Sequence, residues 1–161
     1  MARNKVLVVD DERMNRWSLV QALRGWGYEV SEAGTVAEAI SVYDSEQPAA
    51  VLLDINLPDG SGLDILTEIK RRTPNAVVIM VTGRVLADEA ITALRGGAYD
   101  FIGKPVDLDE LEITIRNGIE AQRLRKEVTQ VRSEKARRFG FEQIIGESAA
   151  IREILQLARK V

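Results

Sequence analysis

The chain has 161 residues, with 22 Lys and Arg against 25 Asp and Glu for a formal net charge of −3, and 45% of it is apolar. That length allows one full domain with an appendage, and no apolar run approaches the ~18 residues of a membrane span. With neither cysteine nor histidine, disulfide frameworks, thiolate or typical zinc sites and imidazole bases are excluded, so any chemistry rests on carboxylate, hydroxyl or amine.

The opening Met1-Ala2-Arg3-Asn4-Lys5 passes into a four-residue apolar run, too short for a signal-peptide core, and a cytoplasmic location is expected. That run, Val6-Leu7-Val8-Val9, reads as a first strand ending in Asp10-Asp11. A helix is expected over about 13–26, with Trp17, Val20 and Leu23 on its apolar face, Leu19 and Trp26 beside them, and Gly25 and Gly27 at its end. Tyr28 to Ala33 alternates as a more exposed strand. Thr35-Val36-Ala37-Glu38 is a capping box that opens a second helix, with Ala39, Ile40 and Tyr43 inward and closure at Gln47-Pro48. Val51-Leu52-Leu53 is a strand running into Asp54, and a helix over about 61–72 then carries Leu63, Leu66 and Ile69 on one face. Val77-Val78-Ile79-Met80-Val81 reaches Thr82, and a helix over about 86–95 stops at Gly96-Gly97. Tyr99-Asp100-Phe101-Ile102-Gly103 reaches Lys104-Pro105. Five strand–helix pairs built on short β-branched runs call for an α/β fold, a doubly wound parallel sheet ending near residue 120.

The fifth helix does not stop there. From an Asp107 cap with Glu110 at its third position, only Gly118 interrupts the helical pattern before Arg138, at a cost of ~1 kcal/mol in a helix interior. A continuous helix would be roughly 48 Å long. Leu108, Leu111, Ile115 and Ile119 are placed against the domain. Beyond them Leu124, Val128 and Val131 keep the 4-3 spacing of a short coiled-coil seam, with a merely exposed helix as the alternative. Residues 121–138 carry seven Lys or Arg against two Glu. Without interleaved aromatic residues this reads as a solvated helix face, not a nucleic-acid surface. From Phe139-Gly140-Phe141 onward the chain changes character, and Ile144-Ile145-Gly146-Glu147-Ser148 precedes a short amphipathic stretch. The expected organisation is a domain over 1–120, a helical linker over 121–140, and the opening of a second domain over 141–161, with a terminal helix docked on the first domain as the alternative for that last stretch.

Ligands of open α/β sheets bind outside the carboxyl ends of the strands. Asp10, Asp11, Asp54, Thr82 and Lys104 should therefore gather at one edge. Three carboxylates there repel one another unless a cation intervenes. Oxygen donors without histidine or cysteine point to Mg²⁺, which keeps waters for a phosphate-bearing partner. An Asp carboxylate can be the nucleophile toward a phosphoryl group, with Lys104 pairing one phosphoryl oxygen, Thr82 bonding another and Mg²⁺ holding the third. Gly83 leaves room for entry. Taken singly, Asp10-Asp11 is equally a helix cap, and Asp54, Thr82 and Lys104 are equally turn residues or strand-end punctuation. Taken together, four strand ends carry the residue types of one metal-assisted phosphoryl site.

Val8-Val9-Asp10-Asp11-Glu12, Asp54-Ile55-Asn56-Leu57-Pro58-Asp59-Gly60-Ser61-Gly62, Val81-Thr82-Gly83 and Phe101-Ile102-Gly103-Lys104-Pro105 resemble the motifs of response-regulator receiver domains. The resemblance implies a (βα)5 sheet in the order 2-1-3-4-5 and phosphorylation of Asp54 by a histidine kinase. It implies Mg²⁺ held by Asp11, Asp54 and the main-chain carbonyl of Asn56, with Asp10 acting through water. It also implies a cis Lys104-Pro105 peptide, and it places Thr82 and Phe101 at paired switch positions.

Arg16-Trp17, with Ile144-Ile145-Gly146-Glu147-Ser148 followed by Ile151-Arg152-Glu153-Ile154, resembles the NtrC-type activators of sigma-54 RNA polymerase, in which the latter motif begins an AAA+ ATPase domain. On that resemblance the chain is a receiver followed by a linker, and the seam of Leu124, Val128 and Val131 makes a homodimer the expectation. Polymerase and DNA would be reached only through domains that are missing here. No Walker A loop and no helix-turn-helix is present, so neither ATP hydrolysis nor DNA binding is expected. A free-standing receiver is one alternative. A dehalogenase-like Mg²⁺ phosphatase is another, but it needs an acid–base Asp two places after the nucleophile, where this chain has Asn56. Phosphoryl acceptance without turnover of an external substrate is therefore expected.

Overall fold

The computed structural model describes residues 3–83 and 86–142, with residues 128–142 described as backbone only. The expected seam positions Val128 and Val131 thus have no described side chains, and residues 143–161, including the Ile144–Ser148 motif, lie outside the described residues. The chain divides into two units, Met1–Gln122 and Arg123–Val161.

Five strands and five helices alternate: β1 (Lys5–Val9), α1 (Arg13–Gly25), β2 (Glu29–Ala33), α2 (Val36–Glu46), β3 (Ala50–Leu53), α3 (Gly62–Arg72), β4 (Val77–Thr82), α4 (Ala87–Arg95), β5 (Asp100–Gly103) and α5 (Leu108–Glu142). Within the five-stranded sheet the described ladder pairs are parallel and the order is β2-β1-β3-β4-β5. Because side chains alternate across a strand, β1, β3 and β4 feed two cores. Leu7, Val9, Val51, Leu53, Val78 and Met80 meet α2, α3 and α4 through Ala39, Tyr43, Ile65, Leu66, Ile69 and Ala93. Val6, Val8, Ala50, Leu52, Ile79 and Val81 meet α1 and α5 through Leu19, Val20, Leu23, Leu111 and Ile115. Strands buried on both faces are the reason these runs are continuously apolar. β2, at an edge, is the mixed and partly exposed strand its alternation indicated.

Local chemistry fixes the helix starts. Thr35 Oγ1 accepts from the Glu38 N–H at 3.1 Å, the forward half of the expected capping box. Asp107 Oδ1 accepts from the Asp109 and Glu110 N–H groups at 3.0 and 3.2 Å and caps α5. Between β3 and α3, Asn56–Leu57 pairs with Gly60–Ser61 as a small antiparallel hairpin.

Three expectations need correction. Trp17 is 57% exposed. At ~100° per residue, Leu19, Val20, Leu23 and Trp26 form one stripe, and Trp17 falls about a third of a turn from its centre. Leu108 is 45% exposed; it lies at the first turn of α5 and lines an open groove with Leu19 and Pro105 instead of entering the core. The fifth helix runs past Arg138, through Phe139-Gly140-Phe141, to Glu142. Gly118 gains a packing role: a Cβ there would stand 2.7 Å from Val77 Cγ1 and 3.2 Å from the Tyr99 ring. The glycine lets α5 lie closer to the sheet than any side chain would allow.

Candidate functional site

β1 and β3 are neighbours in the middle of the sheet, and their crossovers leave to opposite faces, which makes the gap between their carboxyl ends the topological switch point. The ladder pairs Val9 with Leu53, so Asp10 and Asp54 leave the sheet side by side. Asp54 N–H donates to the Val9 carbonyl at 2.9 Å, and Asp10 N–H to the Ala33 carbonyl at 3.1 Å. On the other flank, Lys104 N–H donates to the Thr82 carbonyl at 2.8 Å. The Lys104–Pro105 peptide is cis.

Asp10, Asp54 and Thr82 are buried, at 2, 7 and 1% exposure. The carboxylate oxygens of Asp10, Asp54 and the exposed Asp11 come within 4.8 Å of one another. Lys104 Nζ donates to Asp10 Oδ2 at 2.7 Å and to Asp54 Oδ2 at 3.1 Å. The remaining Asp10 and Asp54 oxygens accept from the Glu12 N–H at 2.9 Å and the Asn56 N–H at 3.3 Å. Burial alone would pull the Lys104 ammonium down, but the hydrogen bonds and charges of Asp10 and Asp54 outweigh it and hold it above the ordinary lysine range. Among the described residues, none offers the buried Thr82 Oγ1 a hydrogen bond.

Three carboxylates face one ammonium, so the cluster is short of positive charge. Its donors are oxygen only, and this set fits a hard divalent cation such as Mg²⁺. The expected residues Asp10, Asp11, Asp54, Thr82 and Lys104 are therefore brought to one edge. Asn56 contributes its N–H to Asp54 while its side chain faces solvent. Phe101 lies opposite Met80, and Thr82 opposite Gly103. The Phe101 ring is half-buried against the α2–α4 core, two positions short of the strand end. At Gly83 a Cβ would meet none of the described residues within 4 Å.

Two features at the site escaped the sequence reading. Asp59, on the hairpin after β3, accepts from the Val36 and Ala37 N–H groups at 2.7 and 3.2 Å. The Val36 bond, with Ala37's beside it, outweighs the effect of burial and holds the Asp59 carboxyl below the usual range. The loop after Asp54 is thus tied to the start of α2. Gly62 is the other: its N–H donates to the Ile55 carbonyl at 2.7 Å, and its α-carbon lies against the Asp54 backbone. The Gly60-Ser61-Gly62 run was a visible signal, but its partner was not.

A sequence model of the family described as the response regulator receiver domain matches residues 6–116. The chain is 30% identical over 160 residues to the regulatory protein AtoC of Escherichia coli (strain K12), covering 99% of this chain and 35% of AtoC. It is 34% identical over 150 residues to the transcriptional regulatory protein ZraR of Klebsiella oxytoca, covering 93% of this chain and 33% of ZraR. Among solved structures, NtrX from Brucella abortus superposes with a TM-score of 0.78 at 31% identity, covering 99% of this chain and 35% of that one. The chain spans about a third of the length of the curated relatives it matches.

Proposed function

The chain belongs to the response regulator receiver family, and on that premise we propose that Asp54 accepts a phosphoryl group from a histidine kinase and that this event controls a longer transcriptional activator. A receiver is a phosphoacceptor module of two-component signalling, not an enzyme that turns over an external substrate, and this separates the chain from the dehalogenase-like phosphatases. The observation that carries the reading is the convergence at one sheet edge of Asp54, Lys104 and the Thr82 hydroxyl, which is without a hydrogen-bond partner among the described residues. An unsatisfied buried hydroxyl costs about 1–3 kcal/mol, and a phosphoryl oxygen would satisfy it.

In the proposed step an Asp54 carboxylate oxygen attacks phosphorus, the P–N bond of the kinase phosphohistidine breaks, and the imidazole leaves with the bonding pair. Lys104 exchanges its Asp10 and Asp54 contacts for a phosphoryl oxygen, and Thr82 donates to another. Asp11, Asp54 and the Asn56 carbonyl would hold Mg²⁺, with Asp10 acting through water; when bound, the cation neutralises the carboxylates and the incoming phosphoryl oxygens. Movement of Thr82 would open space for Phe101 and repack the face formed by α4, β5 and α5. Exposed Ile91, Leu94, Tyr99 and Ile113 lie in or next to those elements, which are the proposed homodimer surface of the receiver; Leu124, Val128 and Val131 are proposed as a dimer seam within the linker.

Likeness to AtoC over 99% of this chain supports reading it as the receiver over 1–120, the linker over 121–140, and the start of an AAA+ ATPase domain over 141–161. Partners of such activators, sigma-54 RNA polymerase and DNA, would be engaged by domains beyond these residues, in the cytoplasm. Among the described residues no helix is long and apolar enough to cross a membrane.

Beryllofluoride with Mg²⁺ tests the reading by chemical-shift mapping. Binding should require Asp54 and produce its largest changes in α4, β5 and α5; changes confined to α1 and α2 contradict the switch. Sedimentation at micromolar concentration should give a dimer, and a monomer removes the dimer from the proposal. Deleting residues 1–120 from the longer protein should give constitutive ATPase activity if the receiver represses, and an inactive product reverses that sign.

A further inference from the structure

We propose that Arg16 is a positioning residue for the cation-binding edge, acting on the peptide that joins Asp10 to Asp11. Its place in the helix is the first clue. Arg16 falls inside the inward stripe of α1 that Leu19, Val20 and Leu23 define, where a cation needs a reason. Its guanidinium makes two directed bonds, Nη1 to the Asp10 carbonyl at 2.7 Å and Nε to Glu32 Oε1 at 3.1 Å. The Arg16 side chain is only 22% exposed. Gly34 makes the room: a Cβ there would stand 3.2 Å from Arg16 Nη1 and 3.9 Å from the Asp10 carbonyl oxygen.

The peptide group is planar, so holding the Asp10 carbonyl oxygen places the Asp11 nitrogen and α-carbon together and leaves only rotation about the Asp11 N–Cα bond to aim its side chain from the backbone. Asp10 is held at its other atoms by Ala33, Glu12 and Lys104. Asp11 is exposed, and its backbone sets its aim. Glu32 matches the Arg16 charge and orients the planar fork, a task that a single ammonium at this place would not perform. Outer groups that orient ligands in this way commonly change metal affinity by roughly ten- to a hundredfold.

Two explanations of Arg16 predict opposite signs. As a bare positive charge near three carboxylates, it would oppose a dication, and its removal would tighten Mg²⁺ binding. As a positioning residue, its removal weakens binding. The inference rests on the proposed Mg²⁺ site, so titration calorimetry of the full 161-residue chain begins with the wild type. Arg16→Ala should then weaken Mg²⁺ roughly tenfold. Arg16→Lys, which keeps the charge but not the fork, should also be weaker than wild type. Gly34→Ala, which crowds the guanidinium from a different element, should weaken binding by a smaller factor. In the metal-free chain the Asp11 and Glu12 amides should exchange faster in all three variants, while the melting transition stays cooperative. Arg16→Ala with unchanged or tighter Mg²⁺ binding overturns the positioning role. A wild-type chain that binds no Mg²⁺ overturns the cation site itself, and the inference with it.

Discussion

Gly62 lies so close to Asp54 that a Cβ at position 62 would stand 2.0 Å from the Asp54 carbonyl oxygen and 2.9 Å from its carbonyl carbon. Both atoms are backbone, so no rotamer change relieves the contact. Gly62→Ala must push the start of α3 away from the end of β3 or rotate the Asp54 peptide. The variant should lose at least about 2 kcal/mol of stability in urea unfolding, and any folded fraction should accept phosphoryl groups more slowly.

Thr82→Val should leave the unmodified protein as stable as wild type, or more stable by up to ~1 kcal/mol, because the hydroxyl it removes is buried and, among the described residues, unpaired. The same variant should blunt the beryllofluoride-induced shifts in α4 and β5. A stability loss with an intact response would mean that the hydroxyl is satisfied in the resting state and idle in the modified one.

Lys104 links the site to pH. Its native pKa is raised above the ordinary 10.5, so its contribution to stability is fully present below the unfolded value and fades as pH rises through the raised one. Lys104→Met leaves Asp10 and Asp54 without their cation. In the presence of a chelator it should cost ~2 kcal/mol near neutral pH, below the usual range for a fully buried pair because the ammonium is partly exposed. The gap to wild type should narrow in strongly alkaline solution. Mg²⁺ should offset much of the neutral-pH loss. Urea titrations across pH, with and without the ion, check each part.

Gly118→Ala sets two effects against each other. Helix propensity favours alanine by ~1 kcal/mol, while the new Cβ meets Val77 and Tyr99 inside contact distance, and such overpacking costs about 1–3 kcal/mol. The balance should be destabilising, with fluorescence or NMR changes at Tyr99. A stabilised variant would show that α5 can lift away without penalty.

The contrast between these positions shows what a single sequence discloses. The strand ends were legible because each is local: a short β-branched run stops, and a residue of distinct chemistry follows. Sheet order then brings Asp10, Asp54, Thr82 and Lys104 together. Gly118 and Asp59 were not legible in their roles because each answers to a partner far along the chain, and Gly62 because the hairpin that folds it back onto Asp54 is set by backbone geometry. Asp59 reaches Val36 and Ala37, and Gly118 answers to Val77 and Tyr99. Trp17 was misplaced for another reason: apolar character was counted without the angle it makes with Leu19 and Leu23. Arg16 carried a signal of its own, a cation within an apolar stripe, but that signal does not name the carbonyl it holds.

The most direct measurement is the location of phosphate after incubation with acetyl phosphate and Mg²⁺, read by intact-mass and peptide mass spectrometry. One hydroxylamine-labile phosphoryl group should appear on the peptide that carries Asp54, and none on Asp54→Ala. Incorporation that survives Asp54→Ala, or that maps to another residue in the wild type, contradicts Asp54 as the phosphoacceptor.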